Sequence, residues 1–144
     1  MKNGSAYLRK GKIFIQAFSL SSVGVWIAHG IVFTNESCDN PANIGANVLA
    51  ALEGSVENIP HPLQSEWKSV QAPLLDAAGV KSWATFAKSS DAVGFELLDG
   101  KINFKPVEDY EDEGGVATGK DLTCSMEDLA VVGGTLLEAF SACK

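Results

Sequence analysis

The side chains able to make and break bonds are few and far apart in this sequence. Two histidines and three cysteines stand at His29, Cys38, His61, Cys124 and Cys143. No C-x-x-C or H-x-x-x-H pair occurs among them, the spacing that lets two ligands of a tetrahedral metal share one turn. The sequence therefore implies no structural metal and no cofactor. A thiol or hydroxyl nucleophile needs a base within hydrogen-bond reach. His29 falls inside an apolar alternating run and His61 lies between Pro60 and Pro62. Those settings suit a packed histidine and a turn residue. A small enzyme using His29 or His61 with a cysteine stays open as an alternative, with nothing local to support it. No G-x-S-x-G, Walker loop or G-x-G-x-x-G occurs, so the common acyl-transfer and phosphate-binding signatures are missing.

Carboxylates do cluster. Glu108, Asp109, Tyr110, Glu111, Asp112 and Glu113 place five acids in six positions ahead of Gly114-Gly115. Such a run repels itself and holds its water, so it reads as an exposed loop. Acid–base catalysis by paired carboxylates needs surroundings that push their pKa values apart, and a wet loop offers none. Composition alone reads it first as a solubilising loop, and its other use is electrostatic attraction of a partner. The chain carries net −7, and four cations, Lys2, Arg9, Lys10 and Lys12, precede residue 13 with no acid among them. The remainder sets 18 acids against 7 of the 11 bases, a net −11. A body so charged repels nucleic acid and anionic membrane and attracts basic proteins. Long-range attraction of this kind can lift association rates toward about 10⁸–10⁹ M⁻¹s⁻¹. The expected partner-binding residues are thus Glu108, Asp109, Glu111, Asp112 and Glu113 for charge, with Tyr110 as a partly buried anchor.

The elements that must carry this loop come from periodicity. With 144 residues, 46% hydrophobic and 20% charged, the chain reads as one globular domain spanning residues 1–144. Three unpaired cysteines and a polar segment from Met1 to Lys12 point to a reducing, cytoplasmic setting without a secretory signal. Ile13 to Phe33 is apolar, but Gln16, Ser19, Ser21, Ser22 and His29 interrupt it, so it reads as a buried hairpin. Val25 to Phe33 is apolar on both alternating faces, which predicts a central strand. Asn40-Pro41 should start a helix that Gly54 ends.

At mid-chain the proline-bracketed His61 forms a stiff turn. Leu63, Trp67, Val70, Leu74 and Leu75 then make a helical stripe, interrupted by Pro73 and closed by Gly79. Val93 to Lys105 around Asp99-Gly100 predicts a type I′ hairpin with Leu97 opposite Ile102 and Phe95 opposite Phe104, ended by Pro106. Ser125 with Asp128 resembles a capping box for the last helix. Ile44-Gly45-x-x-Val48-Leu49-x-Ala51-Leu52 is echoed by Val132-Gly133-x-x-Leu136-Leu137-x-Ala139-Phe140, suggesting two hairpin-plus-helix halves. The expectation is an α+β fold: a mainly antiparallel sheet of about five or six strands packed by three or four helices, with a possible two-fold pseudo-repeat.

Ser5-Ala6-Tyr7-Leu8-Arg9-Lys10, Ile59-Pro60-His61-Pro62 with Trp67-Lys68, Ala77-Ala78-Gly79-Val80-Lys81-Ser82-Trp83 with Phe86, and Leu136-Leu137-Glu138-Ala139-Phe140 together resemble the immunity proteins of bacterial contact-dependent growth inhibition systems. The resemblance runs from about Ser5 to Cys143, and the central block is its more specific part. It implies a cytosolic protein that binds and blocks the C-terminal toxin domain delivered by a neighbouring cell. Such toxins are often basic nucleases, which an acidic surface would suit. No family binding residue carries over, so the acidic loop rests on charge alone. A self-associating scaffold with no toxin partner is the remaining alternative.

Overall fold

Two tight turns set the registers of the sheet. The computed structural model describes residues 1–112 and 114–143. In it Lys10-Gly11 joins β1 (Lys2–Arg9) to β2 (Lys12–Ser21), and Asp99-Gly100 joins β5 (Ser90–Leu98) to β6 (Lys101–Glu108). φ is +52° and +79° in the first turn and +53° and +75° in the second, the signature of type I′. Phe95 pairs with Phe104 and Leu97 with Ile102, as the turn chemistry requires. Pro106 does not end the ladder. It pairs with Val93, and β6 continues to Glu108. A proline forfeits its donor but keeps its acceptor, and the Pro106 carbonyl takes the Thr118 N–H at 3.0 Å.

The path of the sheet is β3 (Trp26–Asn35), β2, β1, β5, β6 and β7 (Val116–Ala117). Off this path, β4 (Glu57–Ile59) lies parallel to β2, and β8 (Leu122–Ser125) lies antiparallel to β6. The described residues thus give eight strands, more than the five or six expected. The additions, β4 and β7, are three and two residues long, too short to show a period. The fold is α+β, antiparallel except where β4 meets β2.

β3 corrects the expectation of a central strand, for it is an edge. Its pairing with β2 shifts between Gln16 and Ala17, leaving Gly30 and Ile31 without partners opposite. Gly30 sits at φ +84° and Ile31 is 74% exposed. Apolar residues on both faces do not make a strand central when a bulge swings part of it outward.

Helices cover both faces. α1 (Pro41–Gly54) and α4 (Leu129–Ser141) pack on one side, over Ala6, Ile13, Ile15, Val93, Phe95, Ile102 and Phe104. α2 (Trp67–Ala78) and α3 (Trp83–Ala87) lie on the other, over Tyr7, Phe14 and Ala92. Asn40 caps α1 by accepting the Asn43 N–H at 3.1 Å. Asp128, not Ser125, caps α4, accepting from Ala130 at 3.0 Å. The Ser125 hydroxyl accepts the Glu127 N–H in the turn before it. α2 continues through Pro73 and closes on Gly79 at φ +72°. Leu63 lies before α2 and is exposed, and only Leu74 of the predicted stripe is fully buried.

The internal echo has a physical cause. β1-β2-β3-α1 and β5-β6-β7-β8-α4 repeat as strands followed by a helix. The halves meet along β1–β5 and where α1 crosses α4. At that crossing Gly45 faces Gly133. A Cβ on Gly45 would overlap the Leu129 carbonyl, and one on Gly133 would overlap the Pro41 carbonyl. The two helix backbones touch because neither glycine has a side chain. Gly134, one residue on, has nothing within 4 Å of an added Cβ. Gly133→Ala should therefore destabilise by about 2–4 kcal/mol through overpacking against backbone. Gly134→Ala should stabilise by about 0.5–1 kcal/mol through helix propensity. Urea denaturation of both variants checks the pair, and equal effects would remove the close contact as the cause.

Candidate functional site

The acidic segment is the turn between β6 and β7. Glu108 still belongs to β6 and pairs with Val116. Asp109, Glu111 and Asp112 are exposed, while Glu108 and Tyr110 are half-buried. Glu113 lies outside the described residues. The turn is tied by its own backbone: Asp112 N–H to Asp109 O at 2.9 Å, Gly114 N–H to Tyr110 O at 3.2 Å and Gly115 N–H to Asp112 O at 3.0 Å. Among the described residues the ion pairs lie elsewhere, as Lys12–Glu36 and Lys105–Glu96. Asp109, Glu111 and Asp112 face solvent. Glu108, Asp109 and Glu111 line an open groove of about 610 Å³ together with Lys88, Ser90 and Asp91.

Tyr110 holds this turn to the body. Its ring centroid lies 5.7 Å from Tyr7 and 6.1 Å from Trp83. Tyr7 in turn packs edge-on against Phe86 at 5.3 Å. Burial pushes the Tyr7 phenol upward in pKa, and burial followed by the neighbouring Tyr7 does the same to Tyr110. Tyr110 thus serves the acidic turn from beneath, a role its position among acids did not reveal. The hint in the sequence was an aromatic ring in an otherwise fully polar run.

The histidines come together elsewhere. Both line a cavity of about 400 Å³ bounded by β3, residues 59–62 and α2. His29 Nδ1 lies 3.1 Å from Ser19 Oγ, and His61 Nδ1 lies 3.2 Å from Ser21 Oγ. The His61 ring also meets the edge of Trp67, with centroids 5.7 Å apart. Each histidine has a serine partner, where the enzyme alternative paired it with a cysteine. Ser19 is fully buried and its hydroxyl already accepts the Val56 N–H. Ser21 Oγ accepts the Val25 N–H at 3.2 Å. These hydroxyls fasten backbone and are not presented as nucleophiles. Burial raises the thiol pKa of Cys38, Cys124 and Cys143, the reverse of what thiolate chemistry needs. Among the described residues no three metal-ligating side chains gather. Local sequence could not foresee the meeting of the histidines, which depends on β4 returning beside β2.

No family model matches the sequence, nor does any curated protein. Solved structures do. A protein of unknown function from Neisseria meningitidis superposes with a TM-score of 0.81 at 17% identity, covering 99% of this chain and 95% of that one. A chain of the CdiA-CT/CdiI toxin and immunity complex from Yersinia pseudotuberculosis gives a TM-score of 0.81 at 16% identity, covering 99% and 97%. At these identities the likeness is one of fold, and it extends over essentially the whole chain. No helix among the described residues is long and apolar enough to cross a membrane.

The buried phenols make a pH prediction. An unfolded tyrosine ionises near about pH 10, and raising that pKa in the folded state means the native protein holds more protons above it. Stability is complete below that pH and declines as pH rises past it, by up to about 1.4 kcal/mol per unit for each phenol. Urea unfolding on both sides of that pH should show the decline, and Tyr110→Phe should flatten part of it. An unchanged slope in the variant would mean that Tyr110 ionises as freely folded as unfolded.

Proposed function

We propose that this chain is an immunity protein of a contact-dependent growth inhibition system. It binds the C-terminal toxin domain of its cognate partner in the cytoplasm and blocks it, and residues 1–144 act as one such domain. The observation that carries this reading is the fold shared over 99% of the chain with a chain of a toxin and immunity complex. The charge distribution supports it independently. An acidic turn seated on an aromatic base is a preformed negative surface, and a basic nuclease is the toxin class it would capture fastest. Glu108, Asp109, Glu111 and Asp112, with the adjoining Glu113, meet the toxin in place of its anionic substrate. Tyr110 keeps them in position. Inhibition then needs no chemistry, only occupation of the toxin's working face.

Co-expression tests the function. A cell making the toxin domain encoded beside this chain should survive when the chain is present and stop growing when it is absent. Growth arrest in both cases would dispose of the immunity reading. A second measurement addresses the surface. Replacing Glu108, Glu111 and Glu113 with Gln, and Asp109 and Asp112 with Asn, should slow association by about tenfold or more at low salt and flatten its salt dependence. Dissociation should change less. Stopped-flow mixing over a range of ionic strengths reads both, and kinetics equal to those of the parent would remove this turn as the docking surface.

A further inference from the structure

The acidic turn has a cationic neighbour. Of the four positive residues near the start of the chain, Lys2 is occupied at the far end of the sheet, where its Nζ donates to the Ser55 carbonyl at 3.0 Å. Arg9, Lys10 and Lys12 lie at the other end, where β1 turns into β2. The registers set that turn beside the acidic one. Arg9 pairs with Lys12 on one side and with Ser90, the first residue of β5, on the other. Ala92 of β5 pairs with Val107 of β6, and the acidic turn begins at Glu108. β1 and β6 are thus two strand spacings apart, about 10 Å.

The faces agree as well. Arg9 stands two residues after Tyr7 and shares its side of the sheet, the side on which Tyr110 anchors the acidic turn. Lys88 follows α3 and lines the same groove as Glu108, Asp109 and Glu111. Lys12 is answered by Glu36 at 3.1 Å. Arg9, Lys10 and Lys88 have no acid within ion-pair distance among the described residues. The Arg9 Nε is buried without a partner and closed to any visitor, so it adds charge from behind. Lys10 and Lys88 are exposed. This end of the sheet therefore presents a positive strip next to a negative one. Their separation is close to a Debye length of about 10 Å at 0.1 M salt, so each keeps its own field.

We infer, on the immunity reading, that the toxin is gripped through both strips: its cations on the acidic turn, and a carboxylate cluster of its own on Lys10 and Lys88. A purely basic partner would press positive charge against Lys10, Lys88 and Arg9 and be turned away. The two strips together fix the toxin's orientation and separate a cognate toxin from others.

Removing cations from a chain that only attracts basic proteins should speed association, because the chain grows more negative. Removing them from a two-signed contact should slow it. Lys10→Gln with Lys88→Gln is mixed in stopped flow, at low salt, with the toxin domain encoded beside this chain. Association should fall about threefold or more below that of the parent. Lys68→Gln with Lys101→Gln removes the same charge at the far end, where β6 begins and where α2 begins beside the last residue of β2. That pair should leave association unchanged or raise it. All four lysines are exposed, so both variants keep the fold, which urea unfolding checks. If the parent chain protects cells but the first variant associates as fast or faster, the positive strip is no contact and the immunity reading stands. Equal slowing by both variants would overturn the strip too, since the effect would have no place on the surface. A parent chain that neither protects nor binds removes the immunity reading and this contact with it.

Discussion

The pairing of β1 with β5 is the constraint on which the rest depends. Every residue of β1 has a partner there, from Lys2 opposite Leu97 to Arg9 opposite Ser90. These partners are far apart in sequence, so the chain must close a long loop before the seam rewards it. Once formed, the seam places Ala6 in the core beneath α1 and α4 and Tyr7 in the core beneath α2 and α3. Tyr7 then receives Trp83, Phe86 and Tyr110. The acidic turn, the short helix α3 and the join between the halves are therefore one assembly.

Much of this was legible where the code is local. Asp99-Gly100 specified a hairpin and its register because both positions must adopt positive φ. Asn40-Pro41 and Gly79 marked helix ends because each satisfies or terminates backbone groups in a known way. Elsewhere the deciding contacts were remote. The Gly30–Ile31 bulge has no periodic signature, so β3 read as central. Strands as short as β4 and β7 exist only because a longer strand offers them an edge. The Gly45 and Gly133 echo was visible, but only packing showed that the two glycines meet.

The candidate sites divide the same way. The carboxylate run of residues 108–113 announced itself by composition, since charge density is a property of the sequence. What keeps its described part in place did not, because Tyr110 looks ordinary until Tyr7 and Trp83 surround it. The histidine cleft was hidden more completely. His29 and His61 meet through the return of β4 beside β2.

The contact of α1 with α4 has a mechanical consequence. Where main chain rests on main chain, no pliable side chains lie between to absorb a sliding movement. The two halves cannot rock against each other without collision at Gly45 and Gly133. A visiting molecule then finds a finished shape instead of waiting for one to form. On the proposed function, the pace of capture would be left to diffusion and to the electric field reaching into solution.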